Sequence, residues 1–335
     1  MSGMVFHAPF LSSNPKFHLK KILERTPKGS EKLYPGVEVV SNYDDLIGDG
    51  EIELVVVNTP DYSHFDLTKN ALLADKHVIV EKPFTTTTRE GEELIQLSCN
   101  RNLLLTVYQN RRWDGDFLTV KKVLEDNLLG HLVEYEAHFD RFRNFIQPAT
   151  WKEDPELGTG NIYNLGSHMI DQVLVLFGMP DRLYADLRMN RKNGRVNDYY
   201  DLHLYYDAVK VILKSSYLVR EPGPRYILHG TNGSFVKYGI DPQEEALKKG
   251  QKPAGDDWGR EEEKFWGILN AELNGEFVRK RIETIPGNYR LFYDNVYSAI
   301  REGEELAVKP KEALDVIRII EAAIDSSRDK KAIDI

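Results

Sequence analysis

Between residues 52 and 108, three short apolar runs alternate with two helix-patterned segments, and this alternation constrains the fold more than any other feature. Ile52-Glu-Leu-Val-Val-Val57 is the first run, closed by Thr59-Pro60. Asp61 to Lys76 carries helix spacing through Phe65, Ala71 and Leu72. Val78-Ile-Val80 is strand-like again and stops at Pro83. Thr87 and Glu90 have capping-box spacing ahead of a second helix that reaches about Asn100. Leu103 to Tyr108 is the third run. Strands alternating with helices of this length predict βαβ units and a parallel, doubly wound sheet.

Beyond about residue 130 the pattern changes. Val133 to Phe139, Leu183 to Met189, Tyr200 to Tyr206 and Val209 to Leu218 show partial alternation, with no helix between most of them. Tyr226 to Gly230 and Phe235 to Tyr238 flank Asn232-Gly233, the strongest short hairpin signal available. Asp241 to Gly259 is rich in Gly, Pro and charge and predicts a surface excursion. Helices are expected near Tyr289 to Arg301 and Lys311 to Arg328. The expected fold is α/β: a Rossmann-type parallel sheet in residues 1–110, then an α/β domain with a large, mostly antiparallel sheet in residues 111–335. The final helices are free to pack back on the first domain.

Composition narrows the function. A length of 335 residues suits two domains. Lys plus Arg number 44 against 53 acidic residues, a net charge of −9, so no global footprint for nucleic acid exists, and no long basic run makes a local one. A single cysteine, Cys99, rules out an internal disulfide framework and cysteine-rich metal sites. The sequence lacks an apolar run long enough for a membrane helix, and Met1 to Pro15 has neither the basic nor the apolar region of a secretory signal. The expectation is a cytoplasmic enzyme or sensor without a metal.

A doubly wound nucleotide domain normally opens with a strand and a Gly-rich turn that brings pyrophosphate to a helix N-terminus. No GxGxxG occurs here; the chain begins Met1-Ser-Gly-Met-Val-Phe6, with a strand candidate only at His18 to Glu24. Gly3 is either an ordinary N-terminal glycine or the third glycine of a fingerprint whose first half lies upstream.

Other segments carry a resemblance. Asn58-Thr59-Pro60 and Glu81-Lys82-Pro83 close successive parallel strands, and Asn164-Leu-Gly-Ser-His168-Met-Ile-Asp171 opens a later helix. With Tyr108-Gln-Asn-Arg-Arg-Trp-Asp114, Pro224-Arg-Tyr226, Phe235 to Gln243 and Val316 to Glu321 in this order, the chain resembles the Gfo/Idh/MocA oxidoreductases. Within that family it is most similar to the NADP-dependent scyllo-inositol dehydrogenases. The resemblance covers essentially the whole chain. It implies that Met1-Ser2-Gly3 ends the glycine fingerprint, and that roughly ten residues carrying the first strand and two glycines belong upstream. It also implies a cis peptide before Pro83.

Alcohol oxidation needs a hydride acceptor, which nicotinamide supplies, and a base for the hydroxyl proton. Asn164, His168 and Asp171 stand at i, i+4 and i+7 on one helix face. His168 suits the base, and Lys82 suits a donor that orients the hydroxyl and stabilises alkoxide; the resemblance implies the same two roles. Many relatives carry Asp where Asn164 stands. Asn164 is expected to hold the imidazole without a full charge, leaving His168 less basic than in such relatives.

For the cofactor, Gly3, Phe6, Asn58, Thr59, Pro60, His64, Glu81, Lys82, Gln109 and Asn110 are the candidates. Glu24 is suited to a ribose 2′-hydroxyl and favours NAD. Arg25, Thr26 and Lys28 are suited to a 2′-phosphate and favour NADP, to which the balance leans. Arg141, Trp151, Lys152, Tyr163 and Asp171 are the substrate candidates, since a polyol needs polar partners and an apolar face for its C–H surface. The leading expectation is a polyol or sugar dehydrogenase acting on a cyclitol such as scyllo-inositol. An NAD-dependent glycoside hydrolase and a non-catalytic dinucleotide sensor are the alternatives. A homodimer or homotetramer through the exposed sheet face is expected, as in relatives.

Overall fold

In the computed structural model, which describes residues 2–26, 29–255 and 257–335, the parallel strands form two pieces. β1 (Lys21–Leu23) pairs in parallel with β2 (Glu38–Val40). β3 (Leu54–Val57), β4 (His77–Val80) and β5 (Leu105–Val107) make a separate parallel sheet in that order. Bonds along a parallel strand alternate sides. Lys20 and Glu24 bond to the β2 side, and Glu53 and Val57 to the β4 side. Lys21 and Leu23 of β1, and Leu54 and Val56 of β3, therefore turn their peptide groups the other way. Among the described residues no strand pairs either of these outer edges, and both edges line one continuous cleft.

The helices follow local signals. Thr87 caps the Thr88–Arg101 helix, its side chain accepting from the Glu90 N–H while Glu90 reaches back. Asn102 ends it in the left-handed conformation. Leu94 and Gly91 face inward, and a Cβ on Gly91 would fall 2.6 Å from Leu314 of the Pro310–Asp329 helix. That late helix lies across the early strands: Glu321 accepts from the Thr88 N–H at 2.9 Å, and the carbonyl of Val308, just ahead of the helix, accepts from Thr106 Oγ1 at 2.7 Å.

The second half is built on one nine-stranded sheet. Its strands are β6 (Leu132–His138), β7 (Arg182–Arg188), β8 (Tyr199–Tyr205), β9 (Lys210–Ser216), β10 (Tyr226–Gly230), β11 (Gly233–Lys237), β12 (Gly267–Leu273), β13 (Glu276–Ile282) and β14 (Ile333–Asp334). The order is β13-β12-β11-β10-β6-β9-β8-β7-β14, with all neighbours antiparallel except β6 beside β9. Tyr135, Ala137, Tyr200, Leu202, Leu213 and Leu228 fill its inner face against the Ser167–Phe177 helix and the final helix.

The hairpin expected around Asn232-Gly233 forms, with its turn one residue earlier; one expectation needs correction, and one hairpin had no signal in the sequence. The β10–β11 loop is Thr231-Asn232, with Gly233 already paired to Gly230. Gly233 is required by crowding and not by a turn angle, since a Cβ there would fall 2.4 Å from Ala271 of β12. The Asp241–Gly259 segment is no simple surface excursion, because Asp241 and Gln243 are buried hydrogen-bonding hubs. Asp241 Oδ2 accepts from the Gly115 N–H at 2.7 Å, and Gln243 Oε1 accepts from Trp258 and from the Tyr289 N–H. The β12–β13 hairpin was not expected at all. Its outer strand, Glu276-Phe-Val-Arg-Lys-Arg-Ile282, is almost wholly exposed, so its sequence lacks a core-facing period.

Candidate active site

The loops at the carboxyl ends of β3 and β4 face the Ile162–Phe177 helical stretch across a cleft of about 1460 Å³, larger than the roughly 300–1,000 Å³ of a single-ligand pocket. Asn58, Thr59 and Pro60 line it from β3, Glu81 and Lys82 from β4, and Asn164 and His168 from the helix. The Lys82–Pro83 peptide is cis.

Lys82 is the pivot. Its Nζ donates to the Asn164 carbonyl at 2.9 Å and to Asn164 Oδ1 at 3.4 Å. Burial and the Lys152 charge lower its pKa to about 8, against the pull of Glu81 and Asp61. Burial pushes the Glu81 carboxyl up, but His7, Ser2 and Lys82 overcome this and hold it at about 2. Glu81 is gripped by Ser2 Oγ and by His7 Nε2 at 3.0 Å. His7 Nδ1 in turn meets Tyr293 Oη at 2.8 Å. The helical N-terminal segment Gly3–Ser13 thereby fixes the strand end that carries Lys82.

His168 is buried and faces the cleft, and its Nδ1 has no hydrogen-bond partner. Burial, then Lys82, Arg111, Arg225 and Arg141, lower its pKa well below the ordinary histidine value. The expectation that Asn164 holds this imidazole is corrected. Asn164 sits in a π-helical turn, Ile162–Gly166, where its carbonyl and Oδ1 face Lys82 and its Nδ2 donates to Tyr217 Oη at 3.1 Å. The low basicity of His168 comes from burial and cations instead.

Gly3 lies against Asn58, so close that a Cβ would fall 2.6 Å from Asn58 Nδ2. Gly3, Phe6, Asn110 and the β1 end also line the cleft. Glu24 is buried and accepts from Ser30 Oγ and the Ser30 N–H, whereas Arg25 and Thr26 are exposed at the cleft edge. Lys28 lies outside the described residues.

Four candidates are not in the cleft wall. His64 is fully buried, its ring nitrogens facing the carbonyls of Pro83 at 2.8 Å and Thr59 at 3.0 Å, so it ties the two loops together. Gln109 is buried behind the strand end. Tyr163 donates to the Thr86 carbonyl at 3.0 Å. Asp171 is taken by a two-point ion pair with Arg112, at 2.8 and 2.7 Å. Its helix face packs against the Asn110–Trp113 turn rather than a ligand space.

Arg141, Trp151 and Lys152 do line the cleft. Trp151 stands edge-on to Tyr62, and Lys152 Nζ lies 5.6 Å from the Trp151 ring centroid. Sequence reasoning missed Arg111, Arg143, Asp61 and Tyr217, which line it too. Tyr217 sits at the end of an aromatic and apolar strand and reads as filler, while the double arginine after Gln109-Asn110 was the available signal for Arg111. Among the described residues no group of three or more His, Cys, Asp or Glu is placed to hold a metal ion, and no helix is long and apolar enough to cross a membrane.

The geometry joins a base without a partner, a lysine of lowered pKa, and an elongated groove running to a glycine at a helix N-terminus. It suits a dinucleotide with a hydroxylated substrate at one end. Comparisons with known proteins agree. The family described as the NAD-binding Rossmann fold of an oxidoreductase family matches residues 1–109, and its C-terminal alpha/beta domain matches residues 121–335. Scyllo-inositol 2-dehydrogenase (NADP(+)) IolW of Bacillus subtilis is 41% identical over 99% of this chain and 93% of its own. A solved structure from Bacteroides fragilis is 50% identical, with a TM-score of 0.92 over 100% of this chain and 96% of that one. An oxidoreductase of Bacillus cereus is 37% identical, with a TM-score of 0.91 over 100% of this chain and 96% of that one.

Proposed function

The chain belongs to the Gfo/Idh/MocA oxidoreductases, an NAD(P)-binding dehydrogenase acting on CH–OH groups, and from this premise we propose that it moves hydride between NADP and a polyol or sugar hydroxyl. A cyclitol such as scyllo-inositol is the reference substrate, the one that gives the Bacillus subtilis relative its name. The observation that carries the reading is the convergence of Lys82 and partnerless His168 on one cleft. We place the boundary between the two domains at residues 110/111.

When bound, the nicotinamide accepts or returns the hydride. His168 takes the substrate hydroxyl proton; its lowered pKa keeps the imidazole neutral and ready as a base in the neutral pH range. Lys82, anchored by Asn164, donates to the same oxygen and stabilises alkoxide charge. Gly3, Asn58, Thr59, Pro60 and the positive end of the Gly3–Ser13 segment would hold the pyrophosphate and the nicotinamide ribose. Glu81 and Asn110 would border the nicotinamide. Glu24 is engaged by Ser30, while Arg25 and Thr26 stay at the cleft edge, which supports 2′-phosphate recognition and NADP. Trp151 offers a flat apolar surface, and Arg141 and Lys152 offer donors to the substrate.

Self-association is assigned to the outer face of the nine-stranded sheet, where Glu136, His138, Asp201, His203 and Lys214 form an ion-pair network. Size-exclusion chromatography with light scattering reads this directly, and a monomer would refute it. The catalytic test is NADP(+) reduction by scyllo-inositol, followed through reduced nicotinamide absorbance. We expect net reduction by the native chain and a loss of about 10²–10⁴-fold in His168→Asn. Glycoside cleavage without net reduction, or an intact function in the variant, would overturn the reading.

A further inference from the structure

The substrate end of the cleft holds more fixed positive charge than hydride transfer from a neutral polyol uses. Phe139 is fully buried, and three guanidinium groups lie against its ring: Arg111 at 4.9 Å, Arg141 at 4.9 Å and Arg225 at 4.3 Å from the centroid. Two of them are partly answered. Arg111 pairs with Asp114 at 2.9 Å and with Glu244. Arg225 lies 3.5 Å from Asp116 and donates to the His138 carbonyl. Both are nevertheless incomplete: Arg111 Nε and Arg225 Nη2 are buried donors without an acceptor.

Arg141 is the third. It is half-buried in the cleft wall, and its guanidinium makes no hydrogen bond or ion pair among the described residues. The carboxylate that attracts it, Glu244, already receives Arg111 and Lys248. Lys152 enters the same cleft over Trp151, also without a carboxylate within ion-pair distance. Burial and the neighbouring arginines lower the Arg141 pKa, as unanswered cations held together require. Arg111 is only 4% exposed and lines the cleft, so its orphan N–H belongs to a built wall and not to a solvated surface.

We propose that Arg141, backed by Arg111, forms an anion subsite, and that the substrate preferred by this enzyme is a polyol or sugar bearing an acid group. A guanidinium fork presents parallel N–H donors that match carboxylate and phosphate oxygens. A neutral cyclitol fulfils the proton and hydride chemistry but leaves these donors without an acceptor. The inference rests on the dehydrogenase reading of the cleft and deepens it to a substrate class.

Binding and turnover test the two layers separately. Binding of D-gluconate, D-glucose 6-phosphate and scyllo-inositol is measured by tryptophan fluorescence in the presence of NADPH, in the native chain and in Arg141→Met and Arg141→Lys. At least one acid is expected to bind tenfold or more tighter than scyllo-inositol, to lose that advantage in Arg141→Met, and to regain part of it in Arg141→Lys. The carboxylate and phosphate arms identify the acid. Equal or weaker binding of both acids, or an unchanged acid-to-neutral ratio in Arg141→Met, would overturn the subsite. Absence of NADP(+) reduction by all three compounds overturns the dehydrogenase reading instead, and leaves the binding ratios to decide the subsite.

Discussion

The two ends of the cleft are built to different degrees of completion. At the substrate end, Lys82, Asn164 and Tyr217 form a continuous hydrogen-bonded series, and Arg112 and Asp171 lock the helix that carries His168. At the nucleotide end, no strand among the described residues pairs the outer edges of β1 and β3, which line the same cleft, and Gly3 packs closely against Asn58. Lys82 and the helix that carries His168 are thus held by paired side chains, whereas the parallel strands of the nucleotide end stand in two separate sheets. Unpaired peptide groups near the core carry a cost that closed networks do not.

Four experiments break or sharpen that comparison. Lys82→Met removes the centre of the closed end and is expected to lower kcat/KM by about 10³-fold while leaving the circular dichroism spectrum in place; a loss under tenfold would remove Lys82 from the chemistry. The open end responds to addition. Joining an apolar, β-branched strand with a glycine turn ahead of residue 1 is expected to raise the thermal midpoint by roughly 5 °C or more. NADPH affinity is expected to rise with it. An unchanged midpoint would mean that the two edges do not accept a strand.

Smaller effects probe each end more finely. Arg25→Ala is expected to reduce the NADPH-over-NADH binding ratio by about tenfold, read by nicotinamide fluorescence; an unchanged ratio would return Glu24 to the selecting role. Lys152→Met acts through Lys82. Burial and, after it, the Lys152 charge lower the Lys82 pKa to about 8, so removing that charge raises it part of the way back. Activity that needs protonated Lys82 falls as pH rises through about 8, and the variant should move this alkaline limb upward by less than about one unit. A downward shift would contradict the coupling.

Much of this was legible in the chain because it is local. The β3-to-β5 alternation, the Thr87–Glu90 cap and the strand-end tripeptides reflect propensities and spacings within a few residues. The division of the parallel sheet was foreshadowed by the absence of a glycine fingerprint. The β12–β13 hairpin was not legible, because an exposed strand such as Glu276–Ile282, with Phe277 at 88% exposure, has no apolar period to read. At the site, Lys82 and His168 stood out by residue type and motif, while Tyr217 and Arg111 were hidden among residues that equally suit a core strand or a surface turn.

By itself, then, the sequence determined the strand–helix alternation from β3 to β5, the family motifs, and the identity of a lysine and a histidine suited to alcohol chemistry. The tertiary structure decided which polar residues reach a ligand. Asp171 shares a helix face with His168, yet Arg112 from another segment consumes it. Arg141 comes from a different strand end and remains unanswered in the cleft. Counter-charges and burial arrive from residues distant in the chain, so spacing along one helix cannot tell a catalytic carboxylate from a structural one.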